Sequence, residues 1–430
     1  MFYKETNFKK TRCGMVPQGW DIRRLGTIAE DDGVYYGLTA KAIDKQTRFR
    51  MLRTTDIKDY SAEWTTLPFC EITEKRNNLS KFFLRKGELV VARAGTTGVS
   101  VLIDRDLDDI IFGSYLIKIR LKSGVYPKFI HQFFQSKLYW QYISSGQAGS
   151  TLKNINLPIL KSLEIPLPPA AEQKAIAEVL STLDEAVQKT NEVIAKTERL
   201  KKGLMQELLT RGIGHKEFKD TEIGRIPKEW DVVELGEITT EVYRYPTYYN
   251  IKYEGDGIAE VRGELIKHNG ELERDVSKYR CISKETSQRF PKTILQEGDF
   301  ILSVRGTMGK VAIVPSFLEG ANMTANLMRI SLNRSKCHPP FFKQIFLSDS
   351  FRRTLGNRSS QTTIKTIQAP VLKSIRMPLP PLGEQQKIAE ILSTVDQKLE
   401  VERNQKAKLE RIKQGMMDLL LTGKIRVKVS

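Results

Sequence analysis

The residues of this 430-residue chain whose types could support catalysis or metal binding are few. His131, His215, His268 and His338 fall in neither HExxH nor another metal-ligand spacing, and Cys337–His338 is an isolated adjacent pair. Cys13, Cys70, Cys281 and Cys337 are far apart and form no CxxC. That argues against a disulfide framework or zinc site and fits a reducing cytoplasm. The turns GTTG (95–98) and GTMGK (306–310) resemble a phosphate loop only superficially. Such a loop needs GxxxxGK followed by Ser or Thr, whereas Val311 follows Lys310, so both read as hairpin turns. No GxGxxG occurs, and nothing in the sequence pairs particular carboxylates for acid–base work.

The chemistry that remains is binding. RFRMLR gathers Arg48, Arg50 and Arg53, and YRYPTYYNIKY mixes Arg244 and Lys252 with Tyr243, Tyr245, Tyr248, Tyr249 and Tyr253. Arg93 and Arg305 stand beside the two glycine turns, and Lys153 and Lys365 occupy equivalent places ahead of two long helical segments. Basic residues interleaved with aromatics can hold phosphate and contact bases. A solvated basic loop, or tyrosines covering a sheet edge, would look the same in sequence.

Charge points the same way. The net charge is +18. Segment 166–215 has seven acidic and seven basic residues and segment 378–430 seven acidic and ten basic, so the remaining +15 lies outside these segments. Excess positive charge on globular domains suggests a polyanion, DNA or RNA above all; charge kept for solubility is the bland alternative. No apolar run reaches the ~18–20 residues of a membrane span, and MFYKETNFKK is followed by no apolar stretch, so no secretory signal is expected.

The elements that position these residues come twice. IPLPPAAEQKAIAEVLSTLD (165–184) and MPLPPLGEQQKIAEILSTVD (377–396) match at thirteen of twenty positions, 212 residues apart. FKKTRCGMVPQGWDIRRLGTI (8–28) and FKDTEIGRIPKEWDVVELGEI (218–238) match at ten of twenty-one. YPKFIHQFF (126–134) aligns with HPPFFKQIF (338–346), and RLKKGLMQELLT (199–210) with RIKQGMMDLLLT (411–422). A period of ~210 residues is too long for a solenoid unit. Residues 30–80 and 240–290 do not align, so a shared frame carries two different inserts, as two readers of different targets would.

Within each unit, ELVVARAG with GVSVLI and DFILSVRG with GKVAIV read as hairpins, giving α+β domains with strand-rich cores. Trp20 and Trp230 read as core anchors. After the prolines a helix can begin, since proline suits the first turn and its missing donor would be orphaned there anyway. Apolar residues recur at Ile176, Leu180, Leu183, Val187 and Ile194, with Thr190 between, then at Leu200, Leu204 and Leu208. The second copy offers Ile388, Leu392, Val395 and Leu399, then Ile412, Met416 and Leu420. Each helix of ~40 residues would be ~60 Å long, and a lone apolar stripe on such a rod needs a partner. The expectation is two antiparallel helices in a coiled coil, related by a pseudo-two-fold axis; the alternative is that each folds on its own domain. The expected boundaries are 1–165, 166–212, 213–377 and 378–430.

The PLPPxxEQ…IAExLSTxD segments, their duplication and the IPKEW lead-in resemble the specificity subunit of type I restriction–modification systems, and the resemblance covers nearly the whole chain. The first lead-in departs from it, with Cys13 and Gly19 where the second has Ile223 and Glu229. The resemblance implies two target-recognition domains, each reading half of a split double-stranded DNA sequence, with the helices as spacer. It implies no catalytic activity and no bound cofactor: two modification subunits use S-adenosylmethionine to methylate adenine at N6, and ATP-dependent restriction subunits can join them. Partner contact is expected on helices 170–208 and 382–420. The rival readings are a single-chain DNA-modifying enzyme with an unrecognised active site and a non-catalytic helical scaffold.

Overall fold

A computed structural model describes residues 2–72, 79–145, 154–244, 251, 253–305, 307–358 and 366–429. The chain divides into two compact units, Met1–Asn191 with Gln405–Ser430, and Glu192–Asn404. Two 39-residue helices, α1 (Ala170–Leu208) and α2 (Leu382–Leu420), each contribute one half to either unit.

In the first unit a four-stranded antiparallel sheet runs in the order Ser100–Leu102, Leu89–Ala92, Leu116–Leu121, Ala29–Tyr36. The second unit repeats that order with Val311–Ile313, Phe300–Ser303, Leu327–Leu332 and Thr239–Arg244. The expected hairpins are its first two strands: Leu89 pairs with Leu102, and Phe300 with Ile313. Leu89 and Val91 enter the core against the helices, while Val90 and Ala92 enter a second core on the opposite face. Phe300 and Leu302 are divided from Ile301 in the same way. A strand buried on both faces needs an unbroken apolar run rather than alternation. The second core lies under another sheet, and in both units that sheet contains a parallel pair: Arg50–Leu52 beside Leu107–Phe112, and Ile258–Val261 beside Asn322–Met323.

The two proline-led segments begin their helices in the same manner. Pro169 O accepts from the N–H groups of Glu172 and Gln173, and Pro381 O from those of Glu384 and Gln385, at 2.9–3.1 Å. Just upstream, Glu164–Leu167 pairs with Asp21–Arg24, and Arg376–Leu379 with Asp231–Glu234. The short lead-in is thereby stitched to the entrance of the helix.

Within each unit one half of α1 meets one half of α2 in antiparallel sense. In the first unit Ile176 and Leu180 share a core with Met417, Leu420 and Leu421; in the second, Ile388 and Leu392 share one with Leu208 and Leu209. These cores also contain Phe129 and Phe133, and Phe341 and Phe346, so each helix packs on its domain and on the other helix together. The apolar stripe departs from expectation at interior positions, while its ends, Leu208 and Leu420, are buried. Leu200 and Ile412 are 56% and 42% exposed, while Thr197 and Met417 are buried. A straight helix drifts by ~20° per heptad relative to a 3.5-residue repeat, which carries the seam off the expected positions. Thr190, which interrupts the stripe, is buried, and its hydroxyl donates to Ala186 O at 2.8 Å.

Candidate nucleic-acid interface

The duplicated Trp, Glu and Gln residues form a clasp that fixes each domain to its helix. The Trp20 indole N–H donates to Glu172 Oε2 at 3.1 Å, and that of Trp230 to Glu384 Oε2 at 2.8 Å. Both tryptophans are fully buried core anchors, as expected. Gln173 donates to Pro168 O at 2.8 Å and accepts the N–H of Tyr126; Gln385 donates to Pro380 O at 2.9 Å and accepts that of His338. PLPPxxEQ is thus a joint, with every polar end of its Gln occupied by backbone.

The chain leaving the opposite helix closes each clasp. After α2, Arg426 holds Glu172 through two bonds of 2.8 and 2.7 Å and also reaches Glu5, contacts that push its already high pKa further up. Ile425–Val427 then pairs with Phe2–Lys4. After α1, His215 Nε2 lies 2.9 Å from Glu384 Oε1, and the Ile213 N–H donates to the same oxygen. Gly212 and Gly423, at φ +66° and +69°, make the turns. A Cβ there would stand 2.4 Å from Glu384 Oε1 and 2.2 Å from Pro17 Cγ, so side chain as well as backbone excludes other residues.

Two further basic groups are internal struts. Lys118 lies 3.0 Å from Glu88, both buried, and Arg329 lies 3.4 Å from Asp299 at the equivalent place in the second sheet. Burial drives the Lys118 pKa down, against the pull of Glu88.

The expected DNA-facing residues divide. In the first unit Arg50 donates to Thr65 O at 3.1 Å and Leu67 O at 2.5 Å, and lies over Phe69. Arg53 clamps Asp56 with bonds of 2.9 and 2.8 Å, a hydrogen bond that raises its pKa. Arg93 is half-buried with its guanidinium 4.5 Å from the Tyr36 ring centre. These three are engaged in the domain itself. Arg48 is exposed, stacked on Phe49, with Lys41 and Lys45 exposed in the same stretch.

In the second unit Arg244 is half-buried and donates to Thr366 Oγ1 at 3.2 Å. Arg305 is exposed at the hairpin turn. Tyr253 is 49% exposed, with Arg280 over its ring at 5.6 Å and its hydroxyl 3.3 Å from Glu260. Burial raises the Glu260 carboxyl pKa. Lys153, Tyr245, Lys252 and Lys365, with Tyr248 and Tyr249, lie outside the described residues.

Sequence reasoning passed over Arg280, Lys292 over Tyr243, and the basic side chains Lys267, Lys310 and Arg352 around the second hairpin turn. Comparing the two repeats residue by residue would have marked Arg352, which stands where the first repeat has Trp140.

Of the helix positions expected to pack, Ile176, Leu180, Ile388 and Leu392 are fully buried, Leu399 is 5% exposed, and Leu183, Val187 and Val395 are half-buried. Among the described residues no helix is long and apolar enough to cross a membrane.

The profile of the type I restriction modification DNA specificity domain matches this chain twice, over residues 17–199 and 227–411. Two proteins of Methanocaldococcus jannaschii, described as the MjaX and MjaVIII type I restriction enzyme specificity subunits, are 32% and 28% identical to it, each over 99% of this chain and 98% of the relative. A solved chain from work on complex assembly and conformational transition of the type I R-M system superimposes with a TM-score of 0.59 at 19% identity, covering 95% of this chain and 99% of that one. At that identity the likeness shows the fold.

Proposed function

Since the chain belongs to the family of type I restriction–modification DNA specificity subunits, we propose that it is the non-catalytic reader of a split double-stranded DNA target and directs partner subunits to it. The supporting observation is the duplicated clasp: the same Trp–Glu–Gln joint ties each of two differing, basic, strand-rich domains to a helix of the same length. Each domain reads one half-site through exposed basic and aromatic side chains, Arg48 in the first and Arg305 and Tyr253 in the second. The helices, each about 60 Å long at 1.5 Å per residue, set the gap, and half-sites one turn apart are ~34–36 Å distant along B-DNA.

Two modification subunits supply the chemistry. They bind S-adenosylmethionine and methylate adenine at N6, one on each strand; restriction subunits that consume ATP join them for cleavage. The chain itself binds neither cofactor. With Ile176, Leu180, Ile388 and Leu392 occupied inside the units, modification subunits dock on the outer faces of the helices, where Val193, Leu200 and Val401 are exposed. Such a complex works in the cytoplasm.

Two measurements on the purified full chain test this reading. Duplex affinity should fall steeply with salt, because phosphate contacts release counterions. Methyl transfer from labelled S-adenosylmethionine should appear only when a modification subunit is added. Transfer by the chain alone would identify a single-chain enzyme, and salt-insensitive or absent DNA binding would favour a scaffold.

A further inference from the structure

The two hairpin turns share a positive-φ glycine, Gly98 and Gly309, whose N–H donates to Ala92 O and Ser303 O, and they differ in what covers it. In the first unit Gly98, at φ +92°, lies under Trp140, and a Cβ added there would meet that ring at 3.1 Å. Tyr139 donates to Gly98 O at 2.8 Å, and the Trp140 indole N–H donates to Tyr60 Oη at 3.0 Å. The turn is sealed by aromatic side chains.

In the second unit Gly309 has φ +88°, and nothing lies within 4 Å of an added Cβ. The same 212-residue offset that aligns the flanking helices puts Arg352 in the place of Trp140. The vacated space is an open pocket of about 230 Å³. Lys267, His268, Lys310 and Arg352 line it together with Thr307, and among the described residues no carboxylate does. Lys267 shares its charge with Glu273 at 3.5 Å, and Lys310 Nζ is 3.5 Å from Gly263 O, beyond a strong hydrogen bond. An open pocket of this size has room for a phosphate group with several waters. Arginine and lysine at such a spacing favour a phosphate oxygen, arginine through its fork of donors.

We infer that this pocket seats one backbone phosphate of the DNA engaged by the second unit, an anchor replaced by Trp140 in the first. The inference rests on the DNA-reading function proposed above. Because phosphate contacts carry no base information, the anchor strengthens binding to all sequences alike.

The test uses the full chain, with Arg352→Trp, which installs the first unit's residue, and Lys310→Gln as a second variant. Affinity for a target duplex and an unrelated duplex is measured against salt. Each variant should bind both duplexes several-fold more weakly, and the slope of log affinity against log salt should shrink by about 0.9, one phosphate's share. Wild-type slopes in both variants, beside normal salt-dependent binding by the wild type, would overturn the pocket assignment and leave the DNA-reading function standing. No DNA binding by the wild type would overturn both. In a second arm, thermal melting is followed with inorganic phosphate. Stabilisation of the wild type and not of Arg352→Trp, with DNA slopes unchanged, would assign the pocket to a free anion and overturn the backbone-phosphate inference.

Discussion

Lys413 of α2 reaches Asp184 of α1 at 2.5 Å, and the residues equivalent at the 212-residue offset, Lys201 of α1 and Asp396 of α2, form the reciprocal pair at 2.6 Å. Each pair lies inside one unit, and each is joined by a glutamine from the domain: Gln135 accepts from Lys413, and Gln344 donates to Asp396. The pairs are partly exposed, so their value is modest. Double-mutant cycles should give a coupling of about 0.5–1 kcal/mol for either, decreasing as salt is added. Denaturation of the two single variants and the double variant at low and high salt checks this.

The clasp is worth more, because its donors are buried. Glu384→Ala leaves the Trp230 N–H without its acceptor and should destabilise the second unit by roughly 1–3 kcal/mol. Glu172→Ala should cost a similar amount, since Arg426 loses one of its two carboxylate partners and keeps Glu5. Glu→Gln, which keeps one oxygen acceptor, should recover part of the loss. Urea unfolding followed by tryptophan emission measures all three.

Gly423→Ala and Gly212→Ala test the helix exits. Strain at positive φ costs about 1–3 kcal/mol, and a collision with Pro17 or Glu384 adds to it. Gly214, at φ +74° with nothing within 4 Å, is the control: Gly214→Ala should show the backbone cost alone and a smaller loss.

His131 gives the first unit a pH dependence. Burial lowers its pKa to about 4, with Lys413 and Lys128 adding to the effect against nearby backbone acceptors. Between about pH 4 and the unperturbed value near 6.5 the unfolded chain takes up a proton that the folded chain refuses. Stability therefore falls as pH drops through that window, on the order of 2 kcal/mol by pH 5. The repeat has Lys343 at the equivalent position, so this contribution belongs to the first unit, while in the second burial lowers the pKa of a different histidine, His338. Comparing the wild type with His131→Gln at pH 7.5 and 5 isolates the effect from that of the carboxylates.

Much of this architecture could be read from the sequence, for a physical reason. Helix length, proline entry and the strand runs around Leu89 and Phe300 are local properties, and the duplication showed that they recur as one frame. The clasp was half-visible: Trp20, Trp230 and the Glu-Gln pairs stood out, but that Glu172 accepts from a tryptophan 152 positions away is a fact of tertiary structure. Among the arginines, composition could not separate the bound from the presented. Arg50 and Arg53 are held by Leu67 O and Asp56, while Arg48, two residues from Arg50, faces solvent. The second turn fits no phosphate-loop pattern, and by sequence alone it reads as a plain hairpin turn. Its basic lining is assembled from Lys267, Lys310 and Arg352, which belong to separate segments.

Methylated-adenine mapping across a genome, in cells expressing this chain with its modification subunit, tests the split-target reading most directly. The expected result is a single motif of two short specified parts separated by a fixed unspecified gap, with one modified adenine on each strand. An uninterrupted motif, or methylation without sequence preference, would contradict it.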